Sequence, residues 1–208
     1  MVRLLDISPP IDESLAVWPG DVPYRRDVSL DMARGDHLTL SAIHTTVHLG
    51  AHTDAPNHYH RSGGGIGARP LQKYYGPCQV VQVSLPRGRA VEASDITEPI
   101  AAPRVLVRTD SYPDPRTYNP DFNSLSPSFV ELVGRAEGQL VGIDTPSIDL
   151  FASKGLPTHQ AVADHDMAVL EGVVLQHVPP GLYTLIALPL PLKDADASPV
   201  RAVLVAEH

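Results

Sequence analysis

Six of the ten histidines fall between positions 37 and 60, and the dense part of that stretch reads His48-Leu49-Gly50-Ala51-His52-Thr53-Asp54-Ala55-Pro56-Asn57-His58-Tyr59-His60. Imidazole and carboxylate groups are the usual ligands of zinc, manganese and iron. The spacing His-x3-His-x-Asp-x3-His therefore points to a metal site, against the bland alternative of a polar loop with surface histidines. Geometry sharpens the metal reading. Gly50, Pro56 and the β-branched neighbours argue against a helix here. In a straight strand His48 and His52 would share a face but lie ~13 Å apart, at about 3.3 Å per residue. Metal–nitrogen bonds of about 2.0–2.1 Å cannot span that gap. The backbone must bend if both hold one ion, and Gly50 is the residue that tolerates such a bend.

Two histidines and one aspartate leave the site incomplete, so a distant ligand is expected. His159, Asp164, His165, Asp166 and Glu171 are the candidates, and spacing does not choose among them. Asp144-Thr145-Pro146-Ser147-Ile148-Asp149 reads either as a pocket wall or as a turn whose Asp or Ser caps the next helix. Cys78 opens an apolar run and reads as a buried structural thiol. The run Ser62-Gly63-Gly64-Gly65-Ile66-Gly67 lacks the lysine of a phosphate loop and reads as a flexible loop beside the site. His44 reads as a packed histidine or one supporting a ligand, and His60 as a supporting donor. His37, His165, His177 and His208 are expected on the surface.

These residues need a scaffold. A chain of 208 residues fits a single domain, 1–208, with a substantial core. Twenty-one scattered prolines predict short strands and ordered loops with few helices. Strands are expected at 80–83, 104–108, 140–143, 173–175, 182–187 and 202–205, with 38–47 extended. A helix is expected after Ser126-Pro127, ending at Gly134 or Gly138. A second is expected over 157–168 and a weaker one over 68–75. The pattern is that of a mixed α/β protein. With 24 acidic and 16 basic residues the net charge is −8, a poor match to nucleic acid. One cysteine excludes an internal disulfide framework. No apolar run approaches the roughly 20 residues of a membrane helix, and the first residues do not read as a signal peptide. A cytoplasmic setting is expected.

The segment His48 to His58 resembles the signature of the cyclase family of metal-dependent hydrolases, and the formamidase branch in particular. Similar features run through the chain: Val17-Trp18-Pro19-Gly20-Asp21, Gly142 to Asp149, Leu156-Pro157-Thr158-His159, Leu170-Glu171, and Asp196 to Val203. Ala51 replaces the threonine common in the family, a change typical of that branch and not at a ligand position. The resemblance implies a swivelling β/β/α domain with a mixed sheet, assembled as a homodimer. It also implies two divalent metal ions per subunit, zinc or else manganese. His48, His52 and Asp54 would hold the first ion. Asp54, His159 and Glu171 would hold the second, with Glu171 touching both. His58 would be the general acid/base and Trp18 a substrate contact, although a lone tryptophan otherwise reads as core or rim. The implied reaction is hydrolysis of the aryl formamide N-formylkynurenine to kynurenine and formate. The rival readings are opening of a cyclic amide such as isatin, a non-catalytic metal-binding module, and a serine hydrolase, which the absence of a Gly-x-Ser-x-Gly elbow disfavours.

Overall fold

The computed structural model describes residues 2–206; His208 lies outside them. The strands are β1 (Arg3–Asp6), β2 (Arg25–Leu30), β3 (Leu40–His44), β4 (His52–Asp54), β5 (Tyr75–Gln82), β6 (Ala90–Val91), β7 (Arg104–Arg108), β8 (Ser124–Leu125), β9 (Leu140–Ile143), β10 (Ala168–Leu170), β11 (Gly181–Ile186), β12 (Ala197–Pro199) and β13 (Val203–Ala206). The α-helices are α1 (Pro56–Tyr59), α2 (Pro127–Arg135) and α3 (Pro157–Asp164).

Seven strands form the main sheet in the order β1-β13-β11-β5-β7-β9-β10. Its first half is antiparallel, and β5, β7, β9 and β10 run parallel. Parallel strands are covered on both faces, and side-chain parity shows it. Leu106, Leu140, Ala168 and Leu170 enter one core, while Val105, Val107, Val141, Ile143 and Val169 enter the other. Phe129, Val130 and Val133 of α2 and Val162 of α3 pack into the second core. The first core is closed by Ala51, Ala55, Ile66 and Val200, carried on and around the two-stranded β4–β12 ribbon. The layers are therefore β-ribbon, sheet and helices, the expected β/β/α arrangement in a mixed α/β fold.

Helix α2 starts as expected: the Ser126 hydroxyl accepts from the Phe129 amide at 3.2 Å, with Pro127 in the first turn. It runs through Gly134 and ends at Arg135, where Glu137 takes a left-handed φ of 57° and the Gly138 amide returns to the Val133 carbonyl. The expected helix over 157–168 stops at Asp164. Asp166 reverses the chain at φ 47°, and Ala168–Leu170 becomes the edge strand beside β9. The apolar run 173–175 is not a strand. Val173 and Leu175 are buried in the first core, so burial accounts for their type. The 68–75 segment is two short 3-10 turns, Ile66–Ala68 and Leu71–Tyr74, separated by Pro70. Strands β1, β2, β4, β6, β8 and β12 lie outside the expected runs.

Phe129 is wholly buried between α2 and the sheet. Phe129→Ala should lower the unfolding free energy by about 3–5 kcal/mol, read as an earlier urea midpoint. An unchanged midpoint would contradict this packing.

Candidate metal centre

The bend required of the histidine segment is present at Gly50, which has φ 56°. A side chain there would also press on Pro9 Cγ at 3.1 Å. The turn brings the His48 and His52 rings to 5.2 Å between centroids, and the Gly50 carbonyl pairs with His52 Nδ1 at 2.9 Å. That contact leaves His52 Nε2 facing inward.

Strand β4 is clamped on both sides. One edge pairs with β12. On the other, the His52 amide donates to the Glu171 carbonyl at 3.1 Å, and the Glu171 amide donates to the His52 carbonyl at 2.9 Å. Gly172 follows with φ 66°, where a Cβ would lie 2.1 Å from the Gly50 carbonyl oxygen. The loop before β4 and the loop after β10 therefore meet with no space between them.

Contrary to the expectation of no helix in this stretch, α1 forms one turn after Asp54. Pro56 stands in its first turn, where a missing N–H costs nothing. The turn carries His58 back so that its Nε2 lies 3.9 Å from Asp54 Oδ2. Helix α3 supplies His159. Its N-terminal residue Leu156 has no capping side chain, and Asp149 performs that task from the preceding loop. The Asp149 carboxylate accepts from the Thr158 and His159 amides at 3.1 Å each and meets His159 Nδ1 at 2.7 Å. His159 Nε2 then points at Asp54 Oδ2 (3.3 Å) and Glu171 Oε1 (3.4 Å).

Six of the seven residues named from the sequence thus converge. His48 Nδ1 lies 3.0 Å and His52 Nε2 3.4 Å from Asp54 Oδ1, and His52 Nε2 lies 3.1 Å from Glu171 Oε2. Two triads have the mutual proximity a cation needs: His52, Asp54 and Glu171, and His48, Asp54 and His58. Asp54, Glu171, His52 and His159 are 2–3% exposed. Asp54 Oδ1 and His159 Nε2 are buried and make no hydrogen bond. Buried polar atoms seldom stay unpaired, and a hard or borderline divalent cation satisfies both the carboxylate and the imidazole. The donor set fits such an ion.

The electrostatics agree. Burial works against the charged form of Asp54, yet His159 and His48 hold its carboxyl well below the usual range. Burial and the Asp54 charge oppose ionisation of Glu171, but His159 and His52 keep it low as well. Burial would depress His48, and Asp54 and Asp196 beside it instead raise it to about 9. His52 and His159 are raised against the same penalty. Without a cation, protons on the histidines compensate the buried carboxylates.

A pocket of about 410 Å³ opens onto this cluster. Trp18, the seventh named residue, forms part of its wall, with Phe151 at 5.1 Å and Tyr118 at 5.8 Å between ring centroids. Asp144 turns to the Thr109 and Asp110 amides, while Pro146 and Ser147 border the pocket. Of the other distal candidates, Asp164 and His165 are exposed, and the exposed Asp166 pairs with Arg69 and Lys73. His44 is exposed at the end of β3, and His60 is exposed with its Nδ1 on Ser62, so neither supports the cluster in this chain. His37 and His177 are exposed, and Cys78 is buried, as expected. The glycine-rich run is not loose: the Ile66 and Gly67 amides bond to Ala195 and Leu192, and a Cβ on Gly65 would strike the Asp194 backbone at 2.6 Å. The turn reading of 144–149, with an Asp or Ser capping the next helix, fits Asp149, which accepts from the first amides of α3; its contact with the His159 ring was not expected, and sequence reasoning assigned no role to Asp196.

A β/β/α fold enclosing a histidine–carboxylate cluster defines a class, and the chain belongs to the cyclase family, whose profile matches residues 5–150. It is 43% identical over 210 residues to the kynurenine formamidase of Bordetella avium (strain 197N), covering 98% of each chain. It is likewise 43% identical over 208 residues to the kynurenine formamidase of Polaromonas naphthalenivorans (strain CJ2), covering 98% of this chain and 91% of the relative. A solved structure described as a potential metal-dependent hydrolase with cyclase activity superposes with a TM-score of 0.85 at 26% identity over the whole of both chains.

Because metals bind neutral imidazole, a cation seated in this cluster would expel protons from the histidines that hold it. Affinity should therefore rise with pH towards about 9, the value for His48, by about tenfold per pH unit for each proton displaced. Chelator competition at pH 6.5 and 8.5 measures this; equal affinities would contradict it. In the metal-free protein the raised His48 contributes stability that is full below about 6.5 and lost as pH rises through about 9.

Proposed function

We propose that the protein hydrolyses N-formylkynurenine to kynurenine and formate. The observation that carries this is the near-complete match, at 43% identity, to two kynurenine formamidases, combined with the cluster at the pocket floor. In the proposed arrangement His48, His52 and Asp54 would hold one divalent ion, and Asp54 and His159 a second, with Glu171 contributing to both. Zinc is the ion we favour; manganese accepts the same donors. Bound ions of this kind acidify water to near pH 7 and polarise a carbonyl oxygen.

The chain's own residues do the rest. Water adds to the formyl carbon, the bond from that carbon to the aryl nitrogen breaks, and the nitrogen needs a proton to leave. In this reading His58 takes the proton from water and returns it to the nitrogen. Its side chain is 35% exposed and borders the pocket, unlike the buried His52 and His159. Trp18, held by Tyr118 and Phe151, offers an aromatic surface for the substrate ring.

The resemblance also implies a homodimer, and the β2–β3 hairpin supports one. Among the described residues its two strands pair only with each other, and Leu40 and Ile43 on it are 56% and 66% exposed. A second copy would cover them. Among the described residues no helix is long and apolar enough to cross a membrane, and the single buried cysteine suits a cytoplasmic setting.

Purified protein loaded with zinc should convert N-formylkynurenine to kynurenine, followed by near-ultraviolet absorbance, and chelation should abolish turnover. Full activity after chelation, or turnover of isatin but not of N-formylkynurenine, would refute the reading. His58→Ala should retain its metal and fold while losing about 10²–10⁴-fold in kcat; loss of metal would make it a ligand instead. Trp18→Ala should raise KM by about 2–13-fold, the equivalent of an aromatic contact of about 0.5–1.5 kcal/mol, and an unchanged KM would remove Trp18 from the substrate site.

A further inference from the structure

One carboxylate at the mouth of the centre has no part in the reaction as set out above. Asp196 Oδ2 lies 2.9 Å from His48 Nε2 and 3.5 Å from His58 Nδ1, and those two rings are 4.3 Å apart between centroids. Its placement is a product of the fold. Ala197 is in register with Asp54 in the β12–β4 ribbon. The Ala55 amide donates to the Asp196 carbonyl at 2.8 Å. The same segment is pinned to the glycine-rich run through Leu192 and Ala195. The ribbon that positions the ligand Asp54 therefore also positions Asp196.

His58 needs such a partner. It sits on a single helical turn with its side chain 35% exposed, and its ion-pair neighbours among the described residues are Asp54 and Asp196. Asp54 faces Nε2 and Asp196 faces Nδ1. Which imidazole nitrogen carries hydrogen is set by the hydrogen bond the other makes. An acid/base histidine without that constraint divides its population between two tautomers, of which one presents the proton at the wrong atom.

We infer that Asp196 is the positioning residue of His58. By accepting from Nδ1–H it holds the neutral tautomer whose bare Nε2 faces the cluster. Nε2 takes the proton from the attacking water and delivers it to the departing nitrogen, while the hydrogen on Nδ1 stays in place throughout. This rests on the function proposed above. The competing role is support of His48 alone, in which Asp196 would act on metal affinity and not through His58.

A double-mutant cycle separates the two. Asp196→Ala, His58→Ala and the double variant are assayed with zinc at saturation, alongside zinc stoichiometry and the ¹⁵N spectrum of the imidazole nitrogens. Asp196→Ala should lower kcat by about 10–100-fold with KM within about twofold and zinc stoichiometry unchanged. In the His58→Ala background it should cause no further loss. Asp196→Glu should restore part of kcat, and the ¹⁵N resonances of His58 should pass from one tautomer to a mixture in Asp196→Ala. A loss that multiplies with His58→Ala, an unchanged kcat, or zinc content that falls in step with activity would each overturn the inference. If wild-type protein leaves N-formylkynurenine untouched, the proposed function fails, and the ¹⁵N comparison alone decides whether Asp196 holds His58.

Discussion

Two carboxylates, Asp54 and Glu171, are buried beside the same histidines, each 2% exposed. Like charges out of water repel and are poorly solvated, so the surroundings must supply positive charge or donors. His52 and His159 each stand within ion-pair distance of both carboxylates. The Ile148 amide adds a donor to Glu171 at 2.7 Å. The compensation leaves Asp54 Oδ1 and His159 Nε2 unsatisfied, which is the chemical signature of a place for cations. Protons occupy that role when metal is absent, which is why metal loading and pH are coupled here.

The fold serves this arrangement by bringing two layers together at one point. Glu171 comes from the end of β10, at the edge of the parallel half of the sheet, and His159 from the helical layer. His48, His52, Asp54 and His58 come from the ribbon layer. Paired backbone hydrogen bonds between His52 and Glu171 join them, and the missing side chain of Gly172 lets the two loops touch. Each inward-facing imidazole is aimed by an outer contact: His52 by the Gly50 carbonyl, His159 by Asp149, His48 by Asp196. Such outer contacts fix ring orientation and the nitrogen available to a ligand.

Glycine content misleads when read without a partner. The Ser62–Gly67 run has the composition of a mobile loop, yet Gly63, Gly65 and Gly67 each lie where a Cβ would strike neighbouring backbone. The segment that leads to Asp196 passes against Gly65 and Gly67, and the start of α1 passes against Gly63, while Gly64 faces open space. Close approach and flexibility select the same residue, and sequence does not tell them apart.

By itself, the sequence determined the local features. It showed that His48, His52 and Asp54 have the side-chain chemistry to hold a cation, the need for a bend at Gly50 if they share one, the capped start of α2, and strands at 104–108 and 140–143. These follow from side-chain chemistry, propensity and short-range sterics, which neighbours along the chain decide. The choice of His159 and Glu171 over Asp164, His165 and Asp166 came from the resemblance and not from spacing. Only the tertiary structure shows the physical difference: the first two are buried against Asp54 and the others lie at the surface. The one-turn helix that carries His58, the strand at 168–170 in place of helix, and the outer contacts from Asp149 and Asp196 were likewise decided by contacts between separate segments, from 10 residues apart for Asp149 and His159 to 148 for Asp196 and His48. Burial and charge compensation are properties of the assembled layers, so no window of sequence contains them.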